Sequence, residues 1–194
     1  MFPGQGSQSV GMGSELFKNF ELVKKIFKDA DQKLNYPISK IILDGPEDKL
    51  KLTRNTQPAI MIISYSIYKL ITEEFGIQIK DIKYFCGHSL GEYSALVSIG
   101  SLTFEDALYL LHERGKSMQE AVPEGHGAML AVLGLKLEDI EKLIKETKVK
   151  GICEIANDNS DSQVILSGEK KAIDEISDIL KKNKKKSIFL PVSA

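Results

Sequence analysis

From Gly127 onward the sequence runs through six short elements in an order that few folds accommodate. Residues 128–133 read as a strand, 137–147 as a helix, 152–156 and 163–166 as strands, 170–182 as a helix and 187–192 as a strand. The spacing of apolar residues switches between strand and helix periods at each boundary. β-α-β-β-α-β is the order of the ferredoxin-like unit. The run Asn157-Asp158-Asn159-Ser160-Asp161 supplies the turn chemistry that a hairpin between the middle strands requires.

The first 125 residues read differently. An amphipathic helix is expected over 15–34, an apolar helix over 57–75 and a short apolar strand over 82–86, which is the alternation of an α/β layered domain. The sequence therefore divides into 1–125 and 126–192. With 194 residues, 42% hydrophobic and 27% charged, the chain has enough apolar side chains for a core in each part. A net charge of −1 argues against a nucleic-acid partner, which usually demands a basic balance. Cys86 and Cys153 fall in no metal-ligand or disulfide spacing, so no metal and no cofactor are expected and a reducing cytoplasm is the simplest location. No apolar run reaches the roughly 18 residues of a membrane span, and the N-terminus turns polar too early for a secretory signal. Both ends read as interrupted: only Met1-Phe2-Pro3 precede the turn Gly4-Gln5-Gly6, and the chain stops at Ala194 just as an apolar strand finishes.

Gly87-His88-Ser89-Leu90-Gly91 matches G-x-S-x-G, a strand-to-helix turn that exposes a serine hydroxyl. Composition alone produces such a pentapeptide in roughly one chain in twenty, so context decides. Here an apolar run precedes it and helix-like residues 92–99 follow, as a nucleophile turn requires. A serine needs a base to take its proton and donors to hold the developing oxyanion. His88, next to Ser89 in the turn, is expected to point away; His112 reads as a solvated side chain on a polar helix face; His126 lies in a loop.

Thr103 and Asp106 form a capping signature for a helix reaching about Gln119. At 100° per residue, Phe104, Ala107, Leu108, Leu110, Leu111 and Met118 share an apolar arc, and Arg114 falls inside it. A snorkelling side chain or a structural ion pair explains such an arginine. So does a substrate carboxylate, which a guanidinium grips through two parallel hydrogen bonds. The run Lys181-Lys182-Asn183-Lys184-Lys185-Lys186 reads as a solvated helix end, with docking of an acidic protein partner as the alternative, and Gly4-Gln5-Gly6-Ser7-Gln8 lacks the spacing of a phosphate loop.

Four motifs together, Gly4-Gln5-Gly6-Ser7-Gln8, Thr56-Gln57-Pro58-Ala59, Gly87-His88-Ser89-Leu90-Gly91-Glu92-Tyr93 and Arg114-Gly115, resemble the bacterial malonyl-CoA:acyl carrier protein transacylase family in order and spacing. The stretch 118–125 extends the resemblance over essentially the whole chain. It implies an α/β fold with a hydrolase-like three-layer core, incomplete here, and an inserted ferredoxin-like subdomain. It also implies that Ser89 takes a malonyl group from malonyl-CoA as an ester and passes it to acyl carrier protein, in fatty-acid biosynthesis, with no membrane partner. By position, the backbone N–H groups of Gln5 and Leu90 would form the oxyanion hole and Arg114 would bind the malonyl carboxylate. The family's histidine would lie a few residues past the last one here, so the chain is expected to turn over weakly. Three readings stay open beside it: an acyltransferase unit of a polyketide-type system, a serine esterase, and a non-enzymatic short form.

Overall fold

The computed structural model describes residues 1–123 and 125–190, which form two compact units, Met1–Met118 and the stretch from Gln119 onward. The first unit is built from helices: α1 (Ser14–Asn19), α2 (Glu21–Leu34), α3 (Ile38–Asp44), α4 (Glu47–Lys51), α5 (Thr53–Lys69), α6 (Leu90–Ser98) and α7 (Phe104–Ala121). On α2 the buried residues Val23, Ile26, Phe27 and Ala30 follow i, i+3, i+4, i+7 spacing. They join Ile38, Ile42, Leu50, Ile60, Met61, Leu90, Leu108 and Leu111 in one core, where full burial of each large side chain stabilises by roughly 1.5–3 kcal/mol.

Several boundaries differ from the sequence reading. The helix expected over 15–34 breaks at Phe20, whose extended backbone (φ −126°, ψ 119°) turns its ring toward the core. The helix expected over 57–75 begins earlier, at Thr53. Its first turn buries polar residues that an apolar pattern cannot register: Thr56 Oγ1 donates to Leu50 O at 2.6 Å and Asn55 Nδ2 to Lys49 O at 2.8 Å. Its last part, Leu70–Glu74, widens into a π-turn. Residues 82–86 do not form the expected strand. A strand exists only within a ladder, and among the described residues the sole pairing here is the parallel bridge between Phe2 and Gly87. On α7, Leu110 and Met118 leave the expected arc, being 41% and 39% exposed.

In the second unit β1 (Gly127–Leu133), β2 (Cys153–Ser160), β3 (Gln163–Glu169) and β4 (Lys186–Phe189) form an antiparallel sheet in the order β2-β3-β1-β4. Two helices, α8 (Leu137–Thr147) and α9 (Lys170–Lys182), follow β1 and β3. Leu130 pairs with Leu166 and Val132 with Val164, so all four point to one face. That face packs on Ile140 of α8 and on Ile173, Ile176 and Leu180 of α9. The expected turn over 157–161 is shorter in fact: 157–160 continue β2, and the chain reverses at Asp161-Ser162. Two register shifts, at Ile155/Asn157 and Asp158/Ser160, absorb the extra residues as bulges. Strand β4 ends at Phe189, and the 191–192 part of the expected last strand lies outside the described residues. Among the described residues no helix is long and apolar enough to cross a membrane.

Tyr36 gives the first unit a pH dependence. Its hydroxyl donates to Asn55 Oδ1 at 3.1 Å, and burial holds its proton well above the ordinary tyrosine range, with the Asp31 charge adding and Arg54 opposing. The unfolded chain therefore loses this proton first, and stability falls as pH rises above about 10. Urea midpoints should drop between pH 9 and pH 11 by less in Tyr36→Phe than in the wild type. An equal drop would show that Tyr36 does not carry the effect.

Candidate active site

Ser89 is the N-cap of α6, and its backbone takes φ 53° and ψ −112°, a conformation rare for a residue with a side chain. Such strain persists only where the surroundings enforce it. Here close backbone approaches do so. A methyl group at Gly87 would lie 2.0 Å from the Gly91 carbonyl, and one at Gly91 would lie 2.5 Å from Phe2 O. The tight turn lifts the Ser89 side chain outward while Leu90, the first residue of α6, is wholly buried.

The N-terminal strand fragment brings a second turn alongside. Phe2 N–H donates to Cys86 O at 2.8 Å, and His88 N–H donates to Phe2 O at 3.1 Å. Gly4 then lies against the His88 ring, close enough that a Cβ there would sit 2.5 Å from Nδ1. The Gln5 side chain is tied to the start of α5 through Nε2 and Thr53 Oγ1, at 3.4 Å. Gln5 and Leu90 thus belong to two turns that abut, and the Leu90 N–H lies in the first helical turn, where N–H groups find no partner within the helix.

Arg114 reaches this turn from α7. Its Nη2 donates to Ser89 Oγ at 3.1 Å, and its Nη1 donates to Gln57 Oε1 at 2.7 Å. The half-buried guanidinium is held from α5 and points at the serine hydroxyl. A guanidinium only donates, so Arg114 can orient Ser89 Oγ but cannot take its proton.

What sets Arg114 in place is the crossing of α5 and α7. Pro58 sits inside α5 and lacks the N–H that would bond to Arg54 O. His112 Nδ1 lies 3.2 Å from that carbonyl. A carbonyl only accepts, so the Nδ1–H tautomer of His112 donates to it in place of the missing helix bond, with the Tyr36 hydroxyl 3.4 Å from the same nitrogen. This corrects the expectation of a solvated His112: the ring is half-buried, 5.5 Å from the Tyr36 ring, and its Nδ1 serves α5. One helical step on, Gly115 lets the backbones meet, since a Cβ there would stand 2.5 Å from Arg54 Cα. Gln57 is the site residue to which sequence reasoning gave no role. The signal available for it was its place in Thr56-Gln57-Pro58-Ala59, whose proline marks the helix distortion.

Among the described residues no group of three or more His, Cys, Asp or Glu side chains could hold a metal ion. In the second unit, Lys170 N–H donates to the backbone carbonyl of His126 at 2.8 Å.

Comparison with known proteins gives the arrangement a context. The chain is 41% identical, over its whole length, to the malonyl CoA-acyl carrier protein transacylase of Bacillus subtilis, and 40% identical to that of Escherichia coli K12. It spans 60% and 62% of those two chains. Among solved structures, the acyl-carrier-protein S-malonyltransferase of Bartonella henselae superposes with a TM-score of 0.92 at 40% identity, covering all of this chain and 62% of that one. A malonyl-transacylase in complex with its type II PKS acyl-carrier protein superposes with a TM-score of 0.91 at 41% identity and the same coverage. The fold is accordingly an α/β fold of the acyltransferase structures. The acyl transferase domain family model matches residues 1–189, and the chain belongs to that family.

Proposed function

We propose that this chain carries the nucleophile and the carboxylate-binding arginine of a malonyl-CoA:acyl carrier protein transacylase. The observation that carries the reading is the 3.1 Å contact of Arg114 Nη2 with Ser89 Oγ. A malonyl group esterified to Ser89 places its carboxylate only two carbons beyond the ester carbonyl. The guanidinium that touches the free hydroxyl is within reach of that carboxylate, so one cation serves both states. A simple ester has no such charge, and a cation held at its nucleophile would gain nothing from the substrate; this disfavours the esterase reading.

In the proposed reaction Ser89 Oγ attacks the thioester carbonyl of malonyl-CoA while a base removes its proton. The tetrahedral oxyanion is held by the N–H groups of Gln5 and Leu90. It collapses to malonyl-serine as the C–S bond breaks, and coenzyme A leaves as its thiol. The carrier-protein thiol then attacks the ester and the proton returns to Ser89 Oγ, which is ping-pong chemistry. Fatty-acid synthesis is the reading favoured by the named relatives in Bacillus and Escherichia; the complex with a type II PKS carrier supports a polyketide carrier as the second. We assign the first unit to a hydrolase-like α/β core and the second to a ferredoxin-like subdomain. The β2-β3-β1-β4 order, with both helices on one face, supports the latter.

The test is selectivity at Arg114. Arg114→Ala should lower acylation of Ser89 by malonyl-CoA roughly tenfold to a hundredfold more than acylation by acetyl-CoA, because a charge-assisted pair is lost with one substrate alone. Intact mass measured against time reads both rates. Equal losses would make Arg114 a structural residue.

A further inference from the structure

We infer that Gln57 is a positioning residue that sets the selectivity of the site for a carboxylated acyl group, by aiming the Arg114 guanidinium without neutralising it. The inference rests on the reading of Arg114 given above. Gln57 is 1% exposed, and its side chain lies between two partners of opposite demand. On one side Arg114 Nη1 donates to Oε1 at 2.7 Å. On the other, Gln57 Nε2 lies 3.2 Å from Met118 Sδ. An arginine has donors only, whereas a thioether has no donor and accepts weakly. The sulfur therefore takes the NH2 end and leaves the oxygen for the arginine. Flipping the amide would bring NH2 against a cation and leave a carbonyl facing sulfur, so the orientation is locked.

The chemical consequence lies in the neutrality of the amide. A buried carboxylate at this position would hold Arg114 equally well but would pair its charge, and an incoming malonyl carboxylate would then compete with a resident anion. An apolar residue would leave the charge unpaired but the fork unaimed, since only the contact with Ser89 Oγ would remain. Glutamine supplies an acceptor of fixed direction and leaves the full positive charge to the substrate. Residue 57 therefore acts on selectivity through Arg114, without touching the acyl group.

The experiment compares the full chain with Gln57→Leu and Gln57→Glu. Dissociation constants for malonyl-CoA and acetyl-CoA are measured by calorimetry, and the guanidinium 1H–15N signals of Arg114 are followed in cold samples. The wild type should prefer malonyl-CoA and show slowed guanidinium rotation. Both variants should lose about tenfold or more of the malonyl preference, with acetyl-CoA affinity nearly unchanged. Gln57→Leu alone should lose the slowed rotation, because the carboxylate of Gln57→Glu still grips Nη1. If the wild type discriminates and both folded variants keep the preference, Gln57 is only a buried structural amide and the inference falls. Should the leucine variant fail to fold, Gln57→Glu decides alone: a retained preference overturns the inference. A wild type that binds both thioesters equally would overturn the carboxylate role of Arg114 itself, and the inference with it.

Discussion

Ser89→Ala is expected to abolish formation of the malonyl adduct, because the oxygen that would carry the ester is gone. The substitution separates chemistry from structure unusually well here. The strained backbone of Ser89 is enforced by the approach of Gly87 to Gly91 and of Gly91 to Phe2, none of which involves its hydroxyl. Alanine keeps the Cβ and loses only the acceptor of one hydrogen bond from Arg114, at an exposed position. Stability should therefore change by no more than about 0.5 kcal/mol. The check is intact mass after incubation with malonyl-CoA, beside a urea titration of the same samples. An adduct that persists in Ser89→Ala would place the acyl group on another side chain and remove Ser89 from the mechanism.

The sequence made the second unit legible because its signals are periodic and local. Both of its helices, 137–147 and 170–182, have the bounds read from apolar spacing, since each presents one apolar stripe to one sheet face. The hairpin was misjudged by its composition: Asn157-Asp158-Asn159-Ser160 has the residues of a turn, yet bulges keep them in the ladder. In the first unit the strand over 82–86 failed for a different reason. Pairing depends on neighbours that are distant in sequence, and periodicity is silent about them.

The site was legible in part for the same physical reasons. G-x-S-x-G works as a local signal because a backbone clash within five residues demands the glycines. Arg114 was visible as a charge on an apolar arc. Gln57, His112 and Gly115 were not, because each answers a demand set on another helix. His112 Nδ1 meets the Arg54 carbonyl, 58 positions earlier in the chain, which Pro58 cannot serve with an N–H, and no pattern in α7 encodes that. A buried glutamine between an arginine and a thioether likewise has meaning only once α5 and α7 cross.

The turn itself should be the least forgiving part of the first unit, and Gly87→Ala tests this. A Cβ at Gly87 would sit 2.0 Å from both C and O of Gly91 and 2.4 Å from Glu92 N. All three are backbone atoms in the first turn of α6, so no rotamer change relieves the clash; the turn must open or the helix must shift. The expected loss is roughly 3 kcal/mol or more, the upper range for overpacking, against a total stability of about 5–15 kcal/mol for a domain. Gly100→Ala provides the contrast. Gly100 also has a positive φ, 77°, but a Cβ there would meet nothing within 4 Å, so only the backbone penalty of roughly 1–2 kcal/mol applies. The measurement can be confined to the right unit, because the chain has six tyrosines and no tryptophan, and all the tyrosines precede residue 119. Tyrosine fluorescence against urea then reports the first unit alone, while far-ultraviolet circular dichroism follows both. Gly87→Ala should move the tyrosine midpoint well below that of Gly100→Ala. Similar midpoints would mean that the turn yields to a methyl group, and that the backbone strain at Ser89 is not imposed by the contact of Gly87 with Gly91.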